Sequence, residues 1–101
     1  MVIDNTVRSV NRLTGGLKNK ILSQRGRLIL EENRLVFWPT RGNPEEIVIH
    51  LKDIVEIRKV NTLLGLSREI WITLADGKVE KFIMYGREAF IEAVKERKEA
   101  Y

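Results

Sequence analysis

Apolar and polar residues alternate most clearly in residues 26–38, where two strand-like blocks flank the short segment 31–33. A strand places alternate side chains on opposite faces. One face of the predicted hairpin carries Leu28, Leu30, Leu35 and Phe37, and the other carries Ile29, Val36 and Trp38. The hairpin should therefore be covered on both sides over part of its length. Three-residue hairpin loops commonly end in left-handed backbone, which Asn tolerates, so Asn33 is predicted to take that conformation and set the register.

The same criteria predict further strands. The β-branched segment 6–13, ended by Gly15 and Gly16, indicates a first strand, and residues 20–23 continue as sheet into 26–31. Residues 34–38 return along that strand, and a loop follows at 39–44, where two prolines and a glycine favour turns. Further strands are predicted at 47–51, 53–60, 70–74 and 79–84. Residues 61–67 form a connection, and Asp76-Gly77 is a strong hairpin signal.

The periodicity changes after Gly86. Apolar side chains recur at helical spacing at Phe90, Ile91, Val94 and Tyr101, with Glu and Lys residues mostly on the other side. This pattern predicts one amphipathic helix, whose apolar stripe must be buried against the preceding strands. The predicted fold class is therefore mainly β, with about seven antiparallel strands and one C-terminal helix.

Length and composition favour a single domain over residues 1–101. The chain is 44% hydrophobic, which is enough for one packed core. The absence of Cys excludes disulfides, thiolate chemistry and Cys-bound zinc. No basic leader precedes an apolar run, and no apolar run approaches the roughly 20 residues needed to cross a bilayer. We therefore expect a cytoplasmic protein, with peripheral association at a membrane as a further option.

The positive charge is concentrated in the first part of the chain. The formal net charge is +4, and residues 1–44 hold eight bases and three acids, whereas residues 45–101 hold ten bases and eleven acids. Residues 5–30 contain six bases and no acid. Such a segment attracts phosphate or an anionic membrane surface, although a solvated basic lobe without a specific partner has the same composition.

Several segments together resemble one family. Residues 26–37 are similar to the Gly-x-Leu-x-Leu-Thr-x-x-Arg-Leu-x-Phe signature of GRAM domains and bacterial pleckstrin-homology-like domains, departing from it at Glu31, where Thr is usual. Residues 49–57 resemble the Ile-x-x-x-Asp-Ile strand entry of these domains, 70–82 their last hairpin, and 85–90 the lead into their final helix. The resemblance covers about residues 11–95, in the right order.

The resemblance implies a split barrel of two nearly orthogonal sheets, capped at one end by the C-terminal helix. It also implies a binding module without catalysis. GRAM domains contact membranes or phosphoinositides in some proteins and other protein segments in others, so the fold leaves the ligand open.

Four bases form a candidate anion or headgroup site: Lys18, Lys20, Arg25 and Arg27. The order Lys20, Arg25, Arg27 is similar to the Lys-then-Arg-x-Arg spacing with which many pleckstrin-homology domains hold phosphoinositide headgroups. Arg25 and Arg27, at alternate strand positions, could clamp one phosphate, with Lys18 or Lys20 across the turn. A solvated basic strand face explains the spacing as well.

The leucines Leu63, Leu64 and Leu66 form a second candidate contact. If exposed, they would make a tip that enters a membrane or contacts a partner. If buried, they would cap one end of the fold, and burial is the commoner outcome for leucines in loops.

Two tryptophans support an alternative function. Trp38 and Trp71 could form a stacking platform for bases, which would suit a small basic β-rich nucleic-acid-binding protein. Packing in the core or on a sheet face is favoured, because aromatic residues are common in strands.

Catalytic and metal-binding patterns are absent from the sequence. His50 is the only histidine, has no ligand-spaced neighbours, and is expected at a strand end. The serines lack a glycine-flanked elbow. We therefore assign no catalytic, cofactor or metal residue and expect a GRAM-type module that docks on anionic lipid or on a protein segment. The oligomeric state is left open.

Overall fold

The computed structural model describes residues 1–14, 18–40, 46–61 and 68–100, with the backbone alone for residues 9–14 and 18–23. Its elements, in chain order, are β1 (Val2–Thr14), β2 (Lys18–Leu30), β3 (Arg34–Pro39), β4 (Ile47–His50), a 3-10 helix (Leu51–Asp53), β5 (Ile54–Asn61), β6 (Arg68–Leu74), β7 (Val79–Ile83) and α1 (Arg87–Glu99). All strand pairs are antiparallel. The prediction of a mainly β fold with seven antiparallel strands and one C-terminal helix is confirmed.

The seven strands form one hydrogen-bonded sheet in the order β4-β3-β2-β1-β7-β6-β5. β1 joins the two halves, because it pairs with β2 on one side and, through residues 7–9, with β7 on the other. Phe37 of β3 and Phe82 of β7 are three strand spacings apart in this order, about 14 Å along a flat sheet. Their ring centroids are only 5.6 Å apart. The sheet therefore folds over on itself, so the two expected layers are halves of one continuous sheet.

The hydrophobic core lies between these halves. The predicted inner face of the hairpin is buried at all four positions, Leu28, Leu30, Leu35 and Phe37. On the outer face Val36 is also buried, whereas Trp38 is 45% exposed, so the hairpin is covered on both sides only in part, as expected. Phe90, Ile91 and Val94 of α1 are buried as the helical stripe predicts, and Tyr101 lies outside the described residues.

Helix α1 runs along the edge strand β5. Near its start, an Arg87 Nη1 donates to the backbone carbonyls of Val60 and Glu69, both at 3.3 Å. Near its end, Lys98 Nζ donates to the carbonyl of Ile54 at the other end of β5. An unpaired strand edge would otherwise invite pairing with another chain. The helix thus packs its apolar stripe on the core and places basic side chains over the β5 edge.

The predicted left-handed conformation of Asn33 is wrong. Among the described residues other than glycine, only Asn5 has a positive φ, of 56°. The loop is closed by the backbone bond from the Glu31 amide to the Arg34 carbonyl at 2.9 Å. The Arg34 Nε also donates to Glu31 Oε1 at 2.6 Å. Asn33 instead accepts a bond from the Leu51 amide at 3.0 Å through its carbonyl oxygen, so its role is to hold the end of β4.

A β-bulge interrupts the alternation near the start of β1. β1 begins at Val2 rather than at Thr6, and the register shifts between Ile3, which pairs with Leu28, and Thr6, which pairs with Gly26. Gly26 and Leu28 are two residues apart on β2, but their partners Thr6 and Ile3 are three apart on β1. The extra residue interrupts the period-2 alternation of β1. Thr6 is fully buried and its Oγ1 donates to the Ile3 carbonyl at 3.2 Å, which satisfies its hydroxyl.

Two other boundaries differ from expectation. Pro39 ends β3 and is buried, although it was predicted to open a loop, and residues 41–45 lie outside the described residues. Leu51 and Asp53 were predicted to lie in strands but form a 3-10 helix in which Leu51 is buried. Since Leu51 also bonds to Asn33, this turn redirects the chain from β4 to β5 while filling the core.

At Gly26, β3 lies so close to β2 that a side chain has no room. Gly26 pairs with Thr6 on one side and with Pro39 on the other. A Cβ at this position would lie 2.2 Å from the Trp38 carbonyl oxygen and 2.9 Å from Phe37 Cζ. The first of these is a backbone atom, which a side-chain rotation cannot move away. Only glycine fits here without displacement of β3.

Substitution of Gly26 by Ala should destabilise the fold. The added methyl must push the backbone of β3 away, and overpacking of this kind typically costs about 1–3 kcal/mol. Urea denaturation monitored by circular dichroism should show a lower midpoint for Gly26→Ala. The control is Arg25→Ala, an exposed neighbour on the same strand, which should leave the midpoint nearly unchanged. Equal midpoints for wild type and Gly26→Ala would refute the steric argument.

Glu88 should make a pH-dependent contribution to stability. The pKa of the Glu88 carboxyl is lowered, mainly because the carboxylate accepts a hydrogen bond from the Glu88 backbone amide at the start of α1. The positive charges of Lys59 and Arg87 lower this pKa further. A carboxylate with a lowered pKa in the folded state stabilises above its unfolded pKa, and this stabilisation is lost as the pH falls. Glu88→Gln should therefore lower the melting temperature at pH 7, with a smaller difference at pH 3.

The matched control is Glu92→Gln, on the exposed side of the same helix. This variant should lower the melting temperature less at pH 7. A Glu88→Gln difference that is the same at both pH values would contradict the assigned charge effect.

Candidate binding site

Arg25 and Arg27 lie on the outer face of β2. Both are exposed, and they alternate with the buried residues Gly26 and Leu28, which is the same-face arrangement that their spacing predicts. Arg27 is not isolated, since its Nε lies 2.7 Å from Asp4 Oδ1 in an exposed ion pair. The two arginines therefore present positive charge side by side on a surface strand.

Lys18 and Lys20 are on the same strand as these arginines, not across a turn from them. β2 runs without interruption from Lys18 to Leu30, and Lys20 pairs with Arg12 of β1. Five strand positions separate Lys20 from Arg25, a distance of about 16 Å. The side chains of Lys18 and Lys20 lie outside the described residues. Of the four predicted bases, Arg25 and Arg27 are therefore the pair that the described part of the structure places side by side.

Two adjoining depressions surround Arg25. The first has a volume of about 690 Å³ and is bordered by Asp4, Arg27 and Trp38 among others. The second, of about 470 Å³, is bordered by Val7, Arg68, Ile83 and Tyr85 among others. Arg25 and Asn5 border both. The depressions therefore form one continuous surface, here named the arginine face and defined by Arg25, Arg27, Arg68, Trp38 and Tyr85.

The topology of the sheet brings Arg68 and Tyr85 to this surface. Val7 of β1 pairs with both Arg25 of β2 and Ile83 of β7, and the amide of Met84 donates to the Arg68 carbonyl at 3.2 Å. The Arg68 guanidinium carbon lies 5.9 Å from the centre of the Tyr85 ring, within the range of a cation–π contact. No local motif indicated these two residues. They could be found only by knowing that β7 lies beside β1.

The two tryptophans do not form a common platform. Trp38 is 45% exposed and pairs in register with Arg27, so it belongs to the arginine face rather than to the core. Trp71 lies on β6, four strand spacings away in the sheet order. Its ring is held between Arg58, at 5.1 Å, and Lys81, at 4.4 Å. The sheet-face packing expected of the tryptophans thus holds for Trp71, while Trp38 is left open to solvent.

Other sequence-based candidates lie away from this surface. His50 ends β4 and is exposed, as predicted for a strand-end residue. No group of three or more His, Asp or Glu side chains suited to a metal occurs in the described part of the chain. The helix in the described segments is too short and too polar to span a bilayer. The predicted contact residues Leu63, Leu64 and Leu66 lie outside the described residues.

Known structures share this architecture. The Vps36 N-terminal PH domain matches 99% of this chain and 77% of its own, with a TM-score of 0.73 and 15% sequence identity. This chain has a pleckstrin-homology fold. A C-terminal domain of an unknown protein from Leishmania infantum is also similar, with a TM-score of 0.69 and 13% identity over 95% of this chain and 83% of that one. No family model and no curated protein matches the sequence.

Fold alone does not determine what a protein binds. In this example the strand positions that face solvent beside Gly26 carry arginines and an exposed tryptophan. The chemistry of these side chains determines what the surface can bind. Arginine binds phosphate or carboxylate oxygens in paired hydrogen bonds, and exposed Trp and Tyr rings suit a boundary between water and an apolar phase.

The difference in exposure between the tryptophans predicts a difference in quenching. In a Trp71→Phe variant only Trp38 emits, and in Trp38→Phe only Trp71 emits. Acrylamide should quench Trp38 with the steeper concentration dependence, because its ring is exposed whereas Trp71 is covered by Arg58 and Lys81. Equal slopes in the two single-tryptophan variants would contradict the placement of Trp38 on the surface.

Proposed function

We propose that residues 1–101 form one GRAM-type pleckstrin-homology module, without catalytic activity, that docks on anionic membrane surfaces through the arginine face. The single observation that supports this most strongly is the clustering of Arg25, Arg27 and Arg68 with the exposed aromatic residues Trp38 and Tyr85. The resemblance of residues 26–37 to the GRAM signature supports the same assignment.

The charge of the arginine face suits lipid phosphates. Three guanidinium groups are accompanied there by one carboxylate, that of Asp4. The Arg27–Asp4 pair is more than half exposed on both sides, and exposed pairs of this kind contribute little to stability. Arg27 can therefore exchange its carboxylate partner for a lipid phosphate at small cost.

The aromatic side chains supply the apolar part of the contact. Tyr85 is 76% exposed and Trp38 is 45% exposed, and exposed apolar groups gathered in one patch mark interaction sites. Trp and Tyr are enriched at the level of lipid headgroups, where their rings meet both apolar and polar surroundings. Ile29, half-buried beside Arg27, adds apolar area to the first depression. Basic and apolar groups together are what peripheral membrane proteins use for binding.

Further residues extend the proposal. Lys18 and Lys20 continue the strand that bears Arg25 and would add positive charge beyond the arginine face. Leu63, Leu64 and Leu66 would provide a second, apolar contact. Such a protein would work in the cytoplasm and bind reversibly to the inner leaflet, whose anionic lipids attract basic surfaces.

Charge reversal on the arginine face should strongly weaken vesicle binding. The wild-type protein should sediment with phosphatidylcholine vesicles containing phosphatidylserine, but not with phosphatidylcholine alone, at near-physiological salt. Each basic residue near an anionic membrane contributes about 1 kcal/mol, so Arg25→Glu with Arg68→Glu should weaken binding about thirtyfold or more. The measurement is the vesicle concentration that sediments half of the protein.

The matched control reverses two exposed lysines elsewhere, Lys52 in the 3-10 helix and Lys95 in α1. The Lys52→Glu, Lys95→Glu variant has the same net charge as the arginine variant and should bind nearly as well as wild type. Equal losses in both variants would mean that net charge alone governs binding. No binding by wild type would favour a protein segment as ligand, and salt-sensitive binding to oligonucleotides with Trp38 quenching would favour the nucleic-acid alternative.

A further inference from the structure

The strand β4 is an open edge of the sheet. It is the last strand in the order and pairs with β3 alone among the described residues. The opposite edge, β5, differs because Arg87 and Lys98 of α1 bond to its carbonyls. An open edge presents backbone donors and acceptors to which an extended chain can pair.

The register identifies which backbone groups of β4 face outward. The Leu51 amide donates to the Asn33 carbonyl, so this pair belongs to the hydrogen-bonded set of the β3–β4 ladder. Hydrogen-bonded and non-hydrogen-bonded pairs alternate along an antiparallel ladder. The pairs of His50 with Arg34 and of Val48 with Val36 are therefore of the second kind. The amide and carbonyl groups of Val48 and His50 thus point away from β3.

A cleft of about 500 Å³ lies along this edge. One wall is β4 with Glu46, and the other is formed by Leu74, Asp76 and Lys78 at the β6–β7 turn. The exposed side chain of Val48 and the half-buried side chain of Leu74 give it an apolar part. A strand laid against β4 would therefore gain side-chain contacts as well as backbone hydrogen bonds.

The cleft is acidic although the chain as a whole is basic. Arg8 and Glu80 within it form an ion pair at 2.8 Å and offset each other. Lys78 Nζ lies 3.9 Å from Asp76 Oδ2 and offsets that carboxylate in part, which leaves a net excess of two acids, Glu46 and Asp53. A second copy that paired through its own β4 would bring the same acids against these, and like charges across paired strands repel. The charge therefore favours a basic partner over a second copy.

We propose that the edge of β4 binds an extended, lysine- or arginine-rich segment of a partner protein by strand addition. The segment pairs with the outward backbone groups of Val48 and His50, and its basic side chains lie near Glu46, Asp53 and Asp76. This surface is separate from the arginine face, so the inference does not depend on membrane binding.

The probe is an acetylated, amidated hexapeptide with the sequence Lys-Val-Lys-Val-Lys-Val, and its binding is measured by isothermal titration calorimetry. The wild-type protein should bind it, whereas the matched Glu-Val-Glu-Val-Glu-Val peptide should bind at least about tenfold more weakly because of like-charge repulsion. Glu46→Lys should weaken binding of the basic peptide. Glu32→Lys, the same change in the exposed hairpin loop, should not.

A proline substitution tests the backbone pairing. His50 has a φ of −74°, which a proline ring accepts, and its amide points away from β3, so His50→Pro breaks no ladder bond. This variant should keep the melting temperature within a few degrees of wild type and lose at least about tenfold in affinity. His50→Ala, which keeps the amide, should bind normally.

Modified peptides repeat the test without changing the protein. In strand addition only alternate peptide amides face β4, so N-methylation of one alternate set should abolish binding and N-methylation of the other should not. Equal effects of the two sets would overturn strand addition and leave a charge contact only. Absence of binding by the basic peptide, or equal binding of the acidic one, would overturn the proposal.

Discussion

The close approach of β3 to Gly26 is the constraint on which the structure depends. At this position β2 has Thr6 on one side and Pro39 on the other, and the Trp38 carbonyl oxygen lies 2.2 Å from where any other residue would place its Cβ. The first part of β2 pairs with β1, and from Gly26 onward it pairs with β3 as well. The arginine face depends on the same contact. Arg25 and Arg27 flank Gly26 on β2, and Trp38 precedes its partner Pro39 on β3.

Much of the fold could be predicted because its signals are local. The alternation in residues 26–38 assigned the buried face of the hairpin, and the helical stripe assigned Phe90, Ile91 and Val94 to the core. The predictions are wrong where one inserted residue breaks the alternation of a strand, and where the backbone of a residue performs the role that its side chain was expected to perform. Asn5 has a positive φ and lies within the β-bulge that interrupts the alternation near the start of β1. Asn33 acts through its backbone carbonyl and not through a positive φ.

The candidate site could be predicted only in part. The same-face placement of Arg25 and Arg27 follows from their spacing alone. The contributions of Arg68 and Tyr85 depend on the pairing of β7 with β1, which joins residues more than 70 positions apart in the sequence. Ion pairing is also non-local, since nothing in the sequence indicates that Arg27 would meet Asp4. Local patterns therefore located the centre of the surface but not its borders.

The Arg8–Glu80 pair connects the fold to the distribution of charge. It joins β1 to β7 where the two halves of the sheet meet, and Arg8 also donates to Gln24 of β2 at 3.1 Å. The side chains are 15% and 16% exposed, so removing either would leave a poorly hydrated charge without its partner. Loss of Arg8 would make the cleft more acidic, and loss of Glu80 would make it less so. The ion pair that joins the two halves of the sheet therefore also determines how acidic the cleft is.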